Sequence, residues 1–77
     1  MWVERNNALV RELKFKDFSE AFAFLTCVAL LAEKQNHHPS IYNTYNYVRL
    51  ELTTHDAGNT ITDKDRRLAK AVDDILN

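Results

Sequence analysis

The sequence is short of the residues that punctuate a chain, with one glycine, Gly58, and one proline, Pro39, among 77 residues. So few breakers leave no room for a flexible linker or a glycine-rich phosphate loop. The one cysteine, Cys27, excludes an internal disulfide and a paired-cysteine metal site, and suits a reducing compartment. Its place inside an apolar run predicts a buried structural thiol. An excess of charge of either sign is also missing. Ten basic residues against eleven acidic ones leave a net charge of −1, which is no footprint for nucleic acid. The longest apolar run, Ala21 to Ala32, contains Thr26 and is too short to cross a bilayer. The start, Met1-Trp2-Val3-Glu4-Arg5, lacks the basic and apolar segments of a secretory leader, so a cytoplasmic protein without membrane contact is expected.

A hydrophobic fraction of 45% supports a packed core rather than disorder. The length predicts a single domain over residues 1–77. A domain of this size hides only about 60% of its unfolded surface. Self-association is a common remedy.

Trp2 to Glu4 reads as a short strand, with Asn6-Asn7 as a turn, because asparagine tolerates left-handed backbone. Leu9 to Phe15 alternates, with Leu9, Arg11, Leu13 and Phe15 on one face and Val10, Glu12 and Lys14 on the other. Asp17 and Glu20 form a capping box for a long helix that ends by Asn36, since Pro39 follows. Phe18, Ala21, Phe22, Leu25, Val28, Ala29 and Ala32 give that helix one apolar face. Phe24, Cys27 and Leu31 give it a second, for which a partner subunit is the expected cover. Tyr42 to Thr44 and Tyr47 to Thr54 make a hairpin, with Asn43 and Asn46 available for the turn. Thr62 with Asp65 opens a last helix whose apolar face is Leu68, Ala71, Val72, Ile75 and Leu76. Asp73 and Asp74 read as its solvated face. The fold class expected is α+β, an antiparallel sheet with helices packed on one face.

All three histidines, His37, His38 and His55, stand at element ends, after the long helix and after the best strand. Imidazole suits proton transfer near neutral pH. The partial negative charge of a helix C-terminus favours a protonated neighbour, so His37 or His38 is a candidate acid. Taken alone, the cluster reads first as a solvated polar loop, with catalysis and a zinc site as the lesser alternatives, and adjacent side chains seldom converge on one ion.

The stretch from Glu33 to Asp65 resembles the signature of the pterin-4a-carbinolamine dehydratase family: an acidic residue, His-His-Pro, an aromatic and a histidine at fixed spacing, then an aspartate after a variable gap. Here these are Glu33, His37-His38-Pro39, Tyr45, His55 and Asp65. Phe15-Lys16-Asp17-Phe18, Thr54-His55-Asp56 and Leu68-Ala69 also look familial. The resemblance implies an enzyme that dehydrates 4a-hydroxytetrahydropterin to quinonoid dihydropterin, recycling the pterin of aromatic amino-acid hydroxylases without metal or organic cofactor. It implies catalysis by His37, His38 and His55, and pterin binding through Glu33, Pro39 and Asp65, with Asp65 equally readable as a helix cap. It also implies dimers whose sheets join, or tetramers held by long helices. The chain departs from the family at Ser40 and Ile41, where an acidic residue and a tryptophan are common. The runner-up is a protein-interaction module on the same fold, since some animal members stabilise a transcription-factor dimer.

Overall fold

The computed structural model describes residues 1–76, so Asn77, the end of the expected domain, lies outside the described residues. Strand β1 (Val3–Arg5) turns through Asn6 and Asn7, both at positive φ of 52° and 62°, into β2 (Ala8–Lys14). Helix α1 (Phe18–Gln35) follows, then β3 (Ser40–Thr44), β4 (Tyr47–Leu52), a 3₁₀ turn (His55–Ala57) and α2 (Asp63–Leu76). The sheet is antiparallel throughout, in the order β1-β2-β4-β3. Tyr45, not an asparagine, takes the left-handed position of the β3–β4 turn. Asn43 braces that turn by donating to the carbonyls of Tyr45 and Tyr47, and Asn46 donates to the Phe15 carbonyl.

The register places Leu9 beside Leu52, Arg11 beside Leu50 and Leu13 beside Val48, so the alternation expected for β2 and β4 lines one face. That face packs on Ala21, Phe24, Leu25, Val28 and Ala32 of α1 and on Leu68, Ala69 and Val72 of α2. Val10 departs from the pattern. It points to the opposite face yet is only 3% exposed, between its partners Val3 and Glu51.

The helix starts are built as the sequence predicts. Asp17 Oδ1 accepts the Glu20 N–H at 2.9 Å, and Glu20 reaches back to the Lys16 N–H at 2.9 Å. Several side-chain placements differ from expectation. Phe24 and Leu31 belong to the core, Phe24 stacking on Phe15 at 5.1 Å between centroids. The reason is α2, which covers the side of α1 that the sequence pattern left for a second subunit. Phe18, Phe22 and Ala29, placed on the core face by periodicity, are exposed, and Phe18 and Phe22 stack on each other at 5.5 Å. Cys27 is exposed, not buried, because it lies on the rim of an open cleft that it shares with Phe15, Phe24, Ile75 and Leu76. Asp73 is not merely solvated. It accepts from the Trp2 indole at 2.8 Å and from Arg11 at 2.5 Å, tying the first two strands to α2. In α2 itself Ala69 is buried, whereas Ile75 is 41% exposed. No helix among the described residues is long and apolar enough to cross a membrane.

Candidate active site

Helix α1 ends where Asn36 adopts left-handed backbone, φ 51° and ψ 44°. Its N–H returns to the carbonyls of Ala32 and Glu33, and the next N–H, of His37, bonds the Ala32 carbonyl at 3.1 Å. This is the Schellman closure, and asparagine is, after glycine, the residue that best tolerates it. The reversal throws His37 back toward the start of α2, while Pro39 leads the chain into β3 in extended form.

At the start of α2, Asp65 is fully buried. One oxygen accepts from the Thr62 N–H at 2.9 Å and the Thr54 hydroxyl at 2.7 Å. The other lies 2.5 Å from His37 Nε2. Burial alone pushes this carboxyl upward, but the hydrogen bond from His37, those from Thr62 and Thr54, and the charge of His37 outweigh it. Asp65 is thereby held ionised below its usual range. One side chain thus joins the end of α1, the end of β4 and the start of α2. Asp65 caps α2 through the Thr62 N–H, and it lies behind His37, outside the lining of the cleft that His37 borders.

The ring of His37, with its side chain 12% exposed, lines an open cleft of about 260 Å³. His38, Thr53, Thr54, His55, Asp56 and Lys64 line it too. His55 arrives at the end of β4, where the chain leaves the sheet for the 3₁₀ turn that the bridge between Thr54 and Thr60 closes. His38 is more open, and its Nε2 lies 2.6 Å from Glu33 Oε2. All three expected histidines therefore share one cleft. Glu33 touches it only through His38, and Pro39 and Tyr45 are not in its lining. The cleft also contains residues that sequence reasoning passed over. Thr54 entered only within the familial Thr54-His55-Asp56 stretch, with no role of its own. Lys64 lies off the apolar face of α2, where a lysine draws no notice.

Three imidazoles thus line one small polar cleft, one of them oriented by a buried carboxylate, and imidazole is the side chain chemically suited to give and take protons near neutral pH. The family model described as pterin 4 alpha carbinolamine dehydratase matches residues 1–75. A Prochlorococcus marinus (strain NATL2A) protein is 49% identical over 76 residues, covering 99% of this chain and 79% of its own length. One from Solibacter usitatus (strain Ellin6076) is 54% identical over 72 residues, covering 94% and 75%. Both bear the family's enzyme name provisionally. Among solved structures, a transcriptional coactivator/pterin dehydratase from Brucella melitensis superposes with a TM-score of 0.92. It is 41% identical over 99% of this chain and 82% of its own. A pterin dehydratase-like RuBisCO assembly factor of the alpha-carboxysome superposes at 0.74 with 26% identity, covering 95% and 83%. This chain belongs to the pterin-4a-carbinolamine dehydratase family.

Proposed function

We propose that this protein dehydrates a pterin-4a-carbinolamine, of the 4a-hydroxytetrahydrobiopterin type, to the quinonoid dihydropterin. The carrying observation is the shared cleft of His37, His38 and His55, with His37 anchored by buried Asp65. Loss of water breaks the bond from C4a to the hydroxyl and removes a proton from the neighbouring ring nitrogen, leaving a carbon–nitrogen double bond. One group must give a proton to the departing hydroxyl and another must take one from nitrogen. His37 and His55 serve as that acid–base pair. With His37 Nε2 committed to Asp65, its Nδ1 is the nitrogen left to exchange a proton. His38, steadied by Glu33, holds or protonates the hydroxyl. Glu33 therefore acts on the pterin through His38, and Pro39 shapes the backbone that presents both histidines.

A stopped-flow assay of carbinolamine dehydration tests this reading, with enzyme-dependent acceleration as the expected result. Because imidazoles alone carry the protons, the rate should be unchanged after dialysis against a chelator. A rate lost on chelation and restored by zinc would instead assign the step to a metal-bound water.

We also propose self-association. The support is the exposed pair Phe18 and Phe22 on α1 and the unpaired outer edges of β1 and β3. Light scattering should show an oligomer that Phe22→Glu reduces in size. Leu31→Glu should instead lower the melting temperature, since half-buried Leu31 packs against the core. The interaction-module reading draws on the coactivator and assembly-factor descriptions of the two structural relatives. A module of that kind has no use for three imidazoles on one cleft, and an inert cleft in the dehydration assay would favour it.

A further inference from the structure

We propose that Lys64 and Arg67 form an anion subsite beside the histidine cleft, so that this chain prefers pterins whose side chain ends in a phosphate ester over neutral ones. The inference rests on the reading of the site as a pterin site and adds a substrate class to it. A second cleft, of about 210 Å³, adjoins the first and is lined by Gln35, Asn36, His37, Lys64 and Arg67. Asn36, His37 and Lys64 line both clefts, so they form the ridge between them. A pterin resting against His37 can extend its side chain over that ridge without leaving the protein.

The charge of the second cleft is one-sided. No carboxylate lines it, and Asp65, behind His37, is buried and already bonded by His37, Thr54 and Thr62. Among the described residues, Lys64 and Arg67 take part in no ion pair, although their neighbours on α2 do, Arg66 with Glu4 and Lys70 with Asp74. Asp56 and Asp63 line a further cleft on the other side of Lys64, so its ammonium has anions within the same surface region; Arg67 does not share that cleft. Lys64 and Arg67 stand three apart on one helix, the spacing at which side chains are neighbours. A lysine and an arginine presented together match a phosphate dianion in charge and in donor geometry. Neither a neutral pterin ring nor a dihydroxypropyl side chain uses two cations. A cleft of this volume exceeds what a phosphate group displaces, since one water occupies about 30 Å³ of liquid.

Calorimetric titration with neopterin and neopterin monophosphate, two stable pterins differing only in the phosphate, tests the subsite independently of turnover. The monophosphate should bind at least tenfold more tightly in low salt, with the advantage shrinking as salt rises. Arg67→Gln should remove most of the advantage and Arg67→Lys should keep part of it. Both positions are exposed, and circular dichroism checks that the variants fold. Equal binding of the two pterins, binding of neither, or a preference that survives the Lys64→Gln/Arg67→Gln double substitution would overturn the proposal. The dehydration assay run beside it separates the two readings. A phosphate preference without dehydration keeps the subsite and sinks the enzyme, and dehydration without the preference does the reverse.

Discussion

Replacing His37 or His55 with alanine should slow carbinolamine dehydration by about 10²–10⁴-fold, the usual contribution of one positioned acid or base. The two losses should not add fully, because donor and acceptor act on the same step. His38→Ala should cost less than either, since His38 is more exposed and is held by a carboxylate that is itself 77% exposed. The measurement is single-turnover dehydration by stopped flow, with circular dichroism confirming the fold of each variant. His55→Ala is the cleaner of the two, because His55 takes part in no side-chain hydrogen bond among the described residues and its removal disturbs only the cleft. Near-wild-type rates in both variants would remove the histidines from the mechanism.

The largest stability effect should come from Asp65. Asp65→Ala leaves the Thr62 N–H, the Thr54 hydroxyl and His37 Nε2 without their shared acceptor. Removing one partner of a buried charged network costs about 3–5 kcal/mol. A domain of this length has a total stability of roughly 4–12 kcal/mol. The variant should therefore be partly unfolded, or melt more than ten degrees lower, given a shift of about 4–8 °C per kcal/mol at this size. The single tryptophan, Trp2, is bonded to Asp73 on α2 and offers a fluorescence probe of the melt. Asp65→Asn keeps the shape and an acceptor but loses the charge, and should fall between. The same carboxylate sets a pH dependence. Its folded-state value lies below its ordinary one, so its contribution is fully present above the ordinary carboxylate range. That contribution is lost as pH falls through the ordinary value and then the lowered one. Acid unfolding should begin at higher pH in Asp65→Asn, which brings less stability to the acid limb. Coincident acid transitions and equal melting temperatures for the two proteins would show that Asp65 has no such role.

Much of this was legible from the residues. Alternation in β2 and β4 gives the inner sheet face, and the Asp17–Glu20 and Thr62–Asp65 spacings give both helix starts, because each rests on one local rule. The side-chain facing of α1 was not legible. Periodicity finds two apolar stripes but cannot say which neighbour covers each, and α2, far along the chain, decides that Phe24 goes in and Phe22 stays out. Asp73 misled for the same reason: its partners, Trp2 and Arg11, lie at the opposite end of the chain. The histidines were visible as residue types, and the family spacing picked them out. Their convergence depends on Asn36 reversing the chain and on Asp65 receiving His37, neither of which a sequence pattern encodes. Lys64 was invisible as a site residue because a lysine on an amphipathic helix looks the same whether it borders solvent or a cleft.

The bond from His37 to Asp65 spans 28 positions of the chain, and Thr54 enters the same knot from a third segment. No fragment and no half-assembled chain can hold that imidazole in place. The cleft is thus a property of the assembled chain and of no single element. A motion that lifts the first turn of α2 would dismantle the site while the sheet stayed whole. The geometry of the cleft is in that sense set by the joint between α1, β4 and α2, not by the hydrophobic centre of the domain.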